Sequence, residues 1–422
     1  MSNKSIFAHD SQHVKPNYEL AVVVDDDGSE LEVRLIYGQA EINGFDLTSR
    51  EMRFPAGFRF QIFSSEGCVV QMRSALTHHK LQKNPTMKEK AEMHELLHGY
   101  RENAQQLKSV GPRLLVCGLT DTGKSSFCKF LINRAIAENF QPTFIELDAS
   151  QGDITLPGCL AFSTMKEPLH PVLPYEHANP YVTHCRSNCF RSDRRSYMAQ
   201  MQQLQLTFDS MMNMSQEARQ SGCVINTCGL TNLNGATDDH GFACIAKAVE
   251  LFKVEIIACF GNERLYNELD GNIPQEVKVV RMCGSPGIRA RSTCFRQSEI
   301  NSKVHGYFHG SKDNPLGYRI VISTAKLKFF AHDDSKLDTC FATELIYAKK
   351  VPLGTVVSFM HPEDPPLSVQ TFRGFLRLVA RNDEGGTCTF LTKDAGPIPS
   401  TNFMCMRSVE LAGVVGRSED SP

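Results

Sequence analysis

Residues 118–125 read Gly118-Leu119-Thr120-Asp121-Thr122-Gly123-Lys124-Ser125, the pattern G-x-x-x-x-G-K-S. Two glycines at that spacing let a backbone curl without Cβ clashes, so successive N–H groups converge on one spot. A spot ringed by amides at a helix N-terminus attracts phosphate. Lys124 then reaches the β/γ-phosphates, and the Ser125 hydroxyl suits Mg²⁺. The chemistry that this spacing points to is the binding of a nucleoside triphosphate.

The flanking residues supply the elements that such a loop needs. Leu114-Leu115-Val116-Cys117 precedes it as an apolar run, expected to be a buried parallel strand, and Ser126 to Ile132 follows as the first turns of a helix. Phe144-Ile145-Glu146-Leu147-Asp148 reads as a second strand, which places Asp148 at a carboxyl edge, where α/β sheets bind ligands. A carboxylate there can hold the water shell of Mg²⁺ or take a proton from an attacking hydroxyl. Asp after a strand is also a common turn former. Thr227-Cys228-Gly229 ends a third strand at the same edge, either as a close-approach site or as a plain turn. Gly284-Ser285-Pro286-Gly287-Ile288-Arg289-Ala290-Arg291, with Arg296 beyond it, combines a hinge with guanidiniums. It suits a lid over a phosphoryl group; the alternative is a solvated basic loop.

The whole chain sets the bounds. At 422 residues it exceeds one ordinary core, and 45 basic against 47 acidic side chains argue against a generally basic nucleic-acid binder. Met1 to Asp10 is polar, and no apolar stretch approaches the roughly 20 residues that span a bilayer, so a soluble cytosolic or nuclear protein with reduced thiols is expected. His184-Cys185-x-x-x-Cys189 lacks a second pair downstream, which favours ordinary thiols over zinc.

The fold class expected is α/β. A P-loop domain with a mostly parallel sheet (113–311) is flanked by an N-terminal β-sandwich-like domain (1–84) and a mainly β C-terminal domain (312–422). Short β-rich runs between 19 and 73 are punctuated by Asp25-Asp26-Asp27-Gly28 and Asn43-Gly44. A linker (85–112) carries a helix from Lys88 to Leu107, with Gly99 as a point of interruption. Ser196 to Glu217 reads as one long helix, and Gly416 to Pro422 as a disordered tail.

Taken together, the P-loop, Glu146-Leu147-Asp148 with Gln151-Gly152, Val224 to Gly229 and Glu263-Arg264-Leu265-Tyr266-Asn267-Glu268-Leu269 resemble one family, the polynucleotide 5′-hydroxyl kinases. Within it the chain is most similar to the ATP-binding subunits of the pre-mRNA 3′-end cleavage and polyadenylation factor. Met52-Arg53-Phe54 with Ala56-Gly57, and Tyr307-Phe308-His309-Gly310, extend the likeness over most of the chain. It is weakest over 165–200 and beyond 320.

The resemblance implies ATP and Mg²⁺ as cofactors, with Asp121, Thr122, Gly123, Lys124, Ser125 and Ser126 on the phosphates. It also implies Glu19 and Arg59 on the adenine side, Arg59 standing where the family usually has lysine. Lys124, Asp148, Arg291 and Arg296 would be the catalytic set, Ser125 and Asp148 the Mg²⁺ ligands, and Thr227, Gly229 and Leu230 an RNA clasp. The partners implied are other subunits of the nuclear cleavage and polyadenylation complex, together with RNA, and no membrane. Leu230 stands where RNA-kinase members place tryptophan, and this chain has none. Base stacking is worth roughly 1–3 kcal/mol per base, so an ATP-holding subunit is expected ahead of an active kinase. On that reading Leu230→Trp strengthens RNA binding. No Asn-Lys-x-Asp motif follows the P-loop, which argues against a GTPase.

Overall fold

The computed structural model describes residues 9–25, 30–73, 77–185, 189–230, 239–261, 263–284, 286–288, 290–310, 317–332, 343–359, 375–393 and 402–405. Asp26, Asp27, Gly28, Ser285, Arg289 and the tail 416–422 lie outside the described residues.

The N-terminal domain is a sandwich of two antiparallel sheets. One runs in the order β1 (His9–Val14), β8 (Cys68–Arg73), β3 (Leu31–Gly38), β6 (Met52–Phe54). The other runs β5 (Phe45–Asp46), β4 (Glu41–Ile42), β7 (Arg59–Ser64), β2 (Tyr18–Val24), β9 (Thr77–Lys83). Alternate residues face inward, as period-2 strands require: Leu20, Val22 and Val24 of β2 meet Leu31, Val33 and Val70 in one apolar cluster.

Helix α1 (Thr86–Leu107) then leads into the central domain. It runs unbroken through Gly99, because Met93, Leu97 and Ala104 bury one face and hold the helix on both sides of the glycine.

The central sheet has the order β13 (Tyr181–His184), β12 (Cys159–Thr164), β11 (Thr143–Glu146), β14 (Cys223–Asn226), β10 (Arg113–Gly118), β15 (Ile256–Phe260), β16 (Lys278–Met282). The strands from β11 to β16 in that order are parallel, and β12 and β13 are an antiparallel extension. Both faces are covered, which is why β10 is apolar from Leu114 onward. Leu114 and Val116 point into one core with Phe127 and Phe130 of α2 (Lys124–Ala137). Leu115 and Cys117 point into the other, with α3 (Arg194–Met214), α4 (Gln216–Ser221) and α5 (Asp239–Phe252). The segment read as one helix to Glu217 is two: Ser215 leaves helical dihedrals and caps α4 by accepting from the Ala218 N–H.

Helices α6 (Glu263–Asn272) and α7 (Thr293–His309) complete the domain. The C-terminal sheet runs β17 (Tyr318–Ser323), β22 (Thr387–Thr392), β21 (Phe375–Asn382), β20 (Val356–Phe359), β23 (Asn402–Cys405), β18 (Lys328–His332), β19 (Thr343–Ile346). It packs on the central domain through α7, whose Val304 and Phe308 share a core with Phe375 and Leu391.

Both outer domains therefore meet the P-loop domain near α2 and α7. The 41–46 hairpin of the sandwich sits on α2: a Cβ on Gly44 would lie 2.9 Å from the Phe130 carbonyl oxygen. Beside it Asn133 donates to the Asn43 carbonyl at 2.9 Å, and Arg134 pairs with Glu41.

Candidate functional site: the phosphate loop and its lid

The loop closes tightly because its backbone does. Gly118 (φ 140°) ends β10 so near its neighbour that an added Cβ would lie 1.9 Å from the Phe260 carbonyl oxygen. Asp121 (φ 55°) and Gly123 (φ 92°) adopt left-handed dihedrals before α2 begins at Lys124. The Lys124 ammonium, largely buried, donates to the carbonyls of Gly118 (3.2 Å) and Leu119 (2.8 Å). Burial lowers its pKa, opposed by the nearby charge of Asp148.

Beside the loop lies a group of buried carboxylates. Glu146, the last residue of β11, accepts from the Asp148 N–H at 2.7 Å and from Asn226 Nδ2 at 3.0 Å through each oxygen. Asn226 Nδ2 also donates to Ser125 Oγ at 3.3 Å, so one chain of contacts joins β11, β14 and the P-loop. Asp148 accepts from the Ser150 N–H (3.1 Å) and hydroxyl (2.6 Å).

Burial pushes Glu146 well above the usual carboxylate range, reinforced by the charges of Asp153 and Asp148. Burial also raises Asp148, against Ser150 and Lys124. Asp153 moves the other way: burial would raise it, but Lys303 and Lys129 outweigh that and hold it low. Lys303 reaches Asp153 at 2.5 Å and the Gln151 carbonyl at 2.9 Å, tying α7 to the loop after Asp148. Ser125, Asp148 and Glu146 bring hard oxygens together here, and Asn226 Oδ1 is a buried acceptor with no donor in reach. That set fits a hydrated Mg²⁺.

The lid lies directly on the loop. A Cβ on Gly123 would lie 2.3 Å from Ile288 Cδ1, and one on Gly284 would lie 2.8 Å from the Thr122 carbonyl oxygen. Asp121 accepts from the Arg291 N–H (2.8 Å), from Arg291 Nε (3.1 Å) and from Arg296. The N-terminal domain reaches the same place. Glu19, buried, accepts from the Gly287 N–H at 2.8 Å as well as from Gln82 and Asn84. The Arg59 guanidinium lies 4.3 Å from the centre of the Phe295 ring.

A cavity of about 1770 Å³ is lined by Arg59, the 120–126 segment, Asp148, Arg291 and Arg296 together. The expected clasp divides. Gly229 lines this cavity, but its closest neighbour is Thr120, whose Oγ1 would lie 2.4 Å from an added Cβ. The Thr227 hydroxyl donates to the Val116 carbonyl at 3.0 Å inside the sheet. Leu230 packs into the core at 4% exposure and pairs with Leu119. The geometry thus brings neither Thr227 nor Leu230 into the cavity.

Glu146, Asn226, Asp153 and Lys303 were not singled out as site residues by the motif reading. Glu146 and Asn226 end apolar strands, and a polar residue at that point was the available signal. Nothing in the sequence pairs Asp153 with Lys303, 150 residues away. His184 and Cys185 are buried and Cys189 is exposed; no group of three or more metal-binding side chains occurs among the described residues.

Comparison with known proteins places this geometry. Residues 118–310 match the family model for the P-loop of the mRNA cleavage and polyadenylation factor CLP1, and residues 13–104 match the N-terminal β-sandwich domain of polyadenylation factor. The human protein named polyribonucleotide 5′-hydroxyl-kinase Clp1 is 28% identical over 394 residues, covering 90% of this chain and 91% of its own. A CLP1 homologue of Brugia malayi is 31% identical over 293 residues, covering 68% and 66%. The Clp1p chain solved in complex with Pcf11p has the same fold, with a TM-score of 0.84 at 19% identity over 95% of this chain and 97% of that one. With the loop, its lid and both flanking domains in that order, the chain belongs to the polynucleotide 5′-hydroxyl kinase family, as a member related to the polyadenylation factor Clp1.

Proposed function

We propose that this chain is the ATP-holding subunit of the nuclear complex that cleaves and polyadenylates pre-mRNA 3′ ends. The observation that carries this reading is the lid's attachment to two domains at once: Gly287 to Glu19 of the sandwich, Arg291 and Arg296 to Asp121 of the P-loop. A nucleotide enclosed there contacts both domains and stabilises their association by mass action, by about 2.7 kcal/mol at a hundredfold excess over Kd. Loop amides and Lys124 bind the phosphates and Arg59 would meet the base, while Glu19, expected on the adenine side, does not line the cavity and holds the lid through the Gly287 N–H instead. Mg²⁺, held by Ser125 and Asp148, would supply neutralisation of phosphate charge. The solved relative is bound to Pcf11p, which supports a Pcf11-like subunit as partner. The test is a chase: protein purified without added nucleotide is mixed with labelled ATP, and bound nucleotide is followed over hours. Retained, unhydrolysed ATP is expected; absence of any bound or acquired ATP would sink the reading.

A second reading is an active RNA 5′-hydroxyl kinase. The observation favouring it is that Lys124 and Asp148 line the same cavity as the lid arginines, and relatives carry the kinase name. The 5′-hydroxyl oxygen would bond to the γ-phosphorus as the bond to the β–γ bridging oxygen breaks. ADP would leave with that electron pair, and the proton would pass to Asp148, whose raised pKa suits a base. Label transfer from ATP to a 5′-hydroxyl oligoribonucleotide, lost in Lys124→Ala, would establish it.

A further inference from the structure

At about 1770 Å³ the cavity exceeds the roughly 300–1,000 Å³ of an ordinary small-ligand pocket, so it has room for a second molecule beside ATP. Its wall near Asp148 includes Phe190, Arg191 and Gly229. Phe190 and Arg191 lie in a turn before α3, closed by the Ser192 N–H donating to the Cys189 carbonyl at 3.1 Å. Phe190, 4% exposed, packs on Tyr197 of α3 with ring centres 5.8 Å apart. The Tyr197 hydroxyl donates to the Leu147 carbonyl at 2.6 Å, which fastens the turn to the residue before Asp148.

Arg191, half-buried, lies over the Phe190 ring with its guanidinium carbon 4.3 Å from the ring centre. Its Nη2 donates to the Gly229 carbonyl at 3.3 Å, so the group is held from two directions. A guanidinium is flat, delocalised and weakly hydrated, and it stacks on aromatic faces. With one face on Phe190, and with Arg191 lining the cavity, the other face is open to a second flat group. The unstacked bases of single-stranded RNA are such groups, and they stack on arginine planes as they do on aromatic rings.

Two guanidinium–ring pairs therefore line the cavity. Arg59 on Phe295, also at 4.3 Å, bridges the sandwich and the lid, where the base of ATP would rest. Arg191 on Phe190 stands at the strand edge that carries Asp148, on the side left for an acceptor.

We propose that Arg191, backed by Phe190, is the platform on which the first base of an RNA 5′ end rests, beside Asp148. The inference rests on the RNA reading of the site for its occupant, and it needs no transfer: a subunit that holds ATP unhydrolysed would grip an RNA end in the same way.

The experiment is fluorescence anisotropy with the full chain loaded with a non-hydrolysable ATP analogue. The probe is a short single-stranded 5′-hydroxyl oligoribonucleotide labelled at its 3′ end, compared with the same oligonucleotide made abasic at its first position. Wild type is expected to bind the intact end about tenfold more tightly, within the range of one base stack. Arg191→Lys keeps the charge and loses the plane. It is expected to bind the intact end about tenfold more weakly than wild type does and the abasic end about equally, so the preference vanishes. A role confined to fastening the turn would weaken both oligonucleotides alike. Should Arg191→Lys fail to fold, Phe190→Leu removes the ring beneath the guanidinium and is expected to shrink the preference.

A preference that persists at wild-type size in the folded variant would overturn the proposal, as would wild-type protein that binds both ends equally. Wild-type protein that binds neither would overturn RNA as the occupant, and with it the reading on which the platform rests.

Discussion

The Glu19 carboxylate accepts the Gly287 N–H at 2.8 Å, a hydrogen bond that joins the N-terminal sandwich to a lid 268 residues later. Gln82 and Asn84 donate to the same carboxylate from behind, at 2.8 and 2.6 Å. A buried acceptor with donors on two sides is costly to remove, because each donor loses a charge-assisted partner worth about 1.5–3 kcal/mol. Glu19→Ala should therefore loosen the lid. The expected outcome is ATP release faster by at least about tenfold, measured by chasing bound labelled nucleotide. An unchanged release rate would mean that the sandwich does not hold the lid.

Gly229→Ala tests what the glycine is for. Its Cβ would lie 2.4 Å from Thr120 Oγ1 and 3.0 Å from Thr120 Cα, so the P-loop backbone itself must shift. Overpacking of this kind costs about 1–3 kcal/mol, and here the strain falls on the phosphate cradle. Weaker ATP binding is expected, with partial recovery when Thr120→Ala removes the hydroxyl. Titration calorimetry with ATP measures both. If ATP affinity is unaltered, the contact is not part of the site.

Much of this was legible in the sequence, for physical reasons. The P-loop and its strand could be read because a phosphate cradle demands glycines, a lysine and a buried strand in one short run. The sandwich strands followed from short β-rich runs punctuated by turn residues. The strand Cys159–Thr164 is short and apolar only from Cys159 to Phe162, and periodicity alone does not separate so brief a run from other buried segments. Helix α7 was missed because, among its described side chains, only Val304 and Phe308 are fully buried, and its cavity side mixes polar residues with Phe295, Ile300 and Tyr307. The contacts of Asp121 with Arg291 and Arg296 were not readable either, because those partners lie 170 and 175 residues away.

Leu230 shows where the resemblance misled. A tryptophan placed there was expected to strengthen RNA binding, but Leu230 is 4% exposed and packs with Cys228 and Leu115. A larger ring there must displace core neighbours. Leu230→Trp is instead expected to destabilise the fold by about 1–3 kcal/mol, read as a lower denaturation midpoint without a change of slope. Equal stability together with tighter RNA binding would restore the clasp at this position.

Glu146 should leave a signature in pH. Its pKa in the folded chain is raised, chiefly by burial, while an unfolded glutamate titrates near about 4.3. The folded state therefore binds the proton more tightly, and this group favours folding below pH ~4.3. That contribution falls as pH climbs from there toward the raised value. Glu146→Gln removes the titration. The variant is expected to lose less stability than wild type between acid and neutral pH in nucleotide-free protein. Parallel stability curves over that range would show that Glu146 titrates alike in the folded and unfolded chain.

Asn133 joins three segments from one buried position on α2. Its amide donates to the Asn43 carbonyl at 2.9 Å and the Leu169 carbonyl at 3.3 Å, and its oxygen accepts the Leu169 N–H at 2.6 Å. Asn43 belongs to the sandwich hairpin, so this side chain helps to fix how the N-terminal domain sits against the P-loop helix. Asn133→Ala leaves buried backbone groups on both partners unsatisfied, at about 1–3 kcal/mol for each group not reached by water. The adjacent Glu41–Arg134 pair is unaltered, so the domains should stay associated but open more often. Faster protease cleavage between the sandwich and α1, suppressed by ATP, is the expected result. Because Glu19 and Arg59 ride on the sandwich, ATP retention should fall in parallel. A variant that opens more often yet keeps its ATP as long as wild type would show that the seat and the nucleotide clasp are independent.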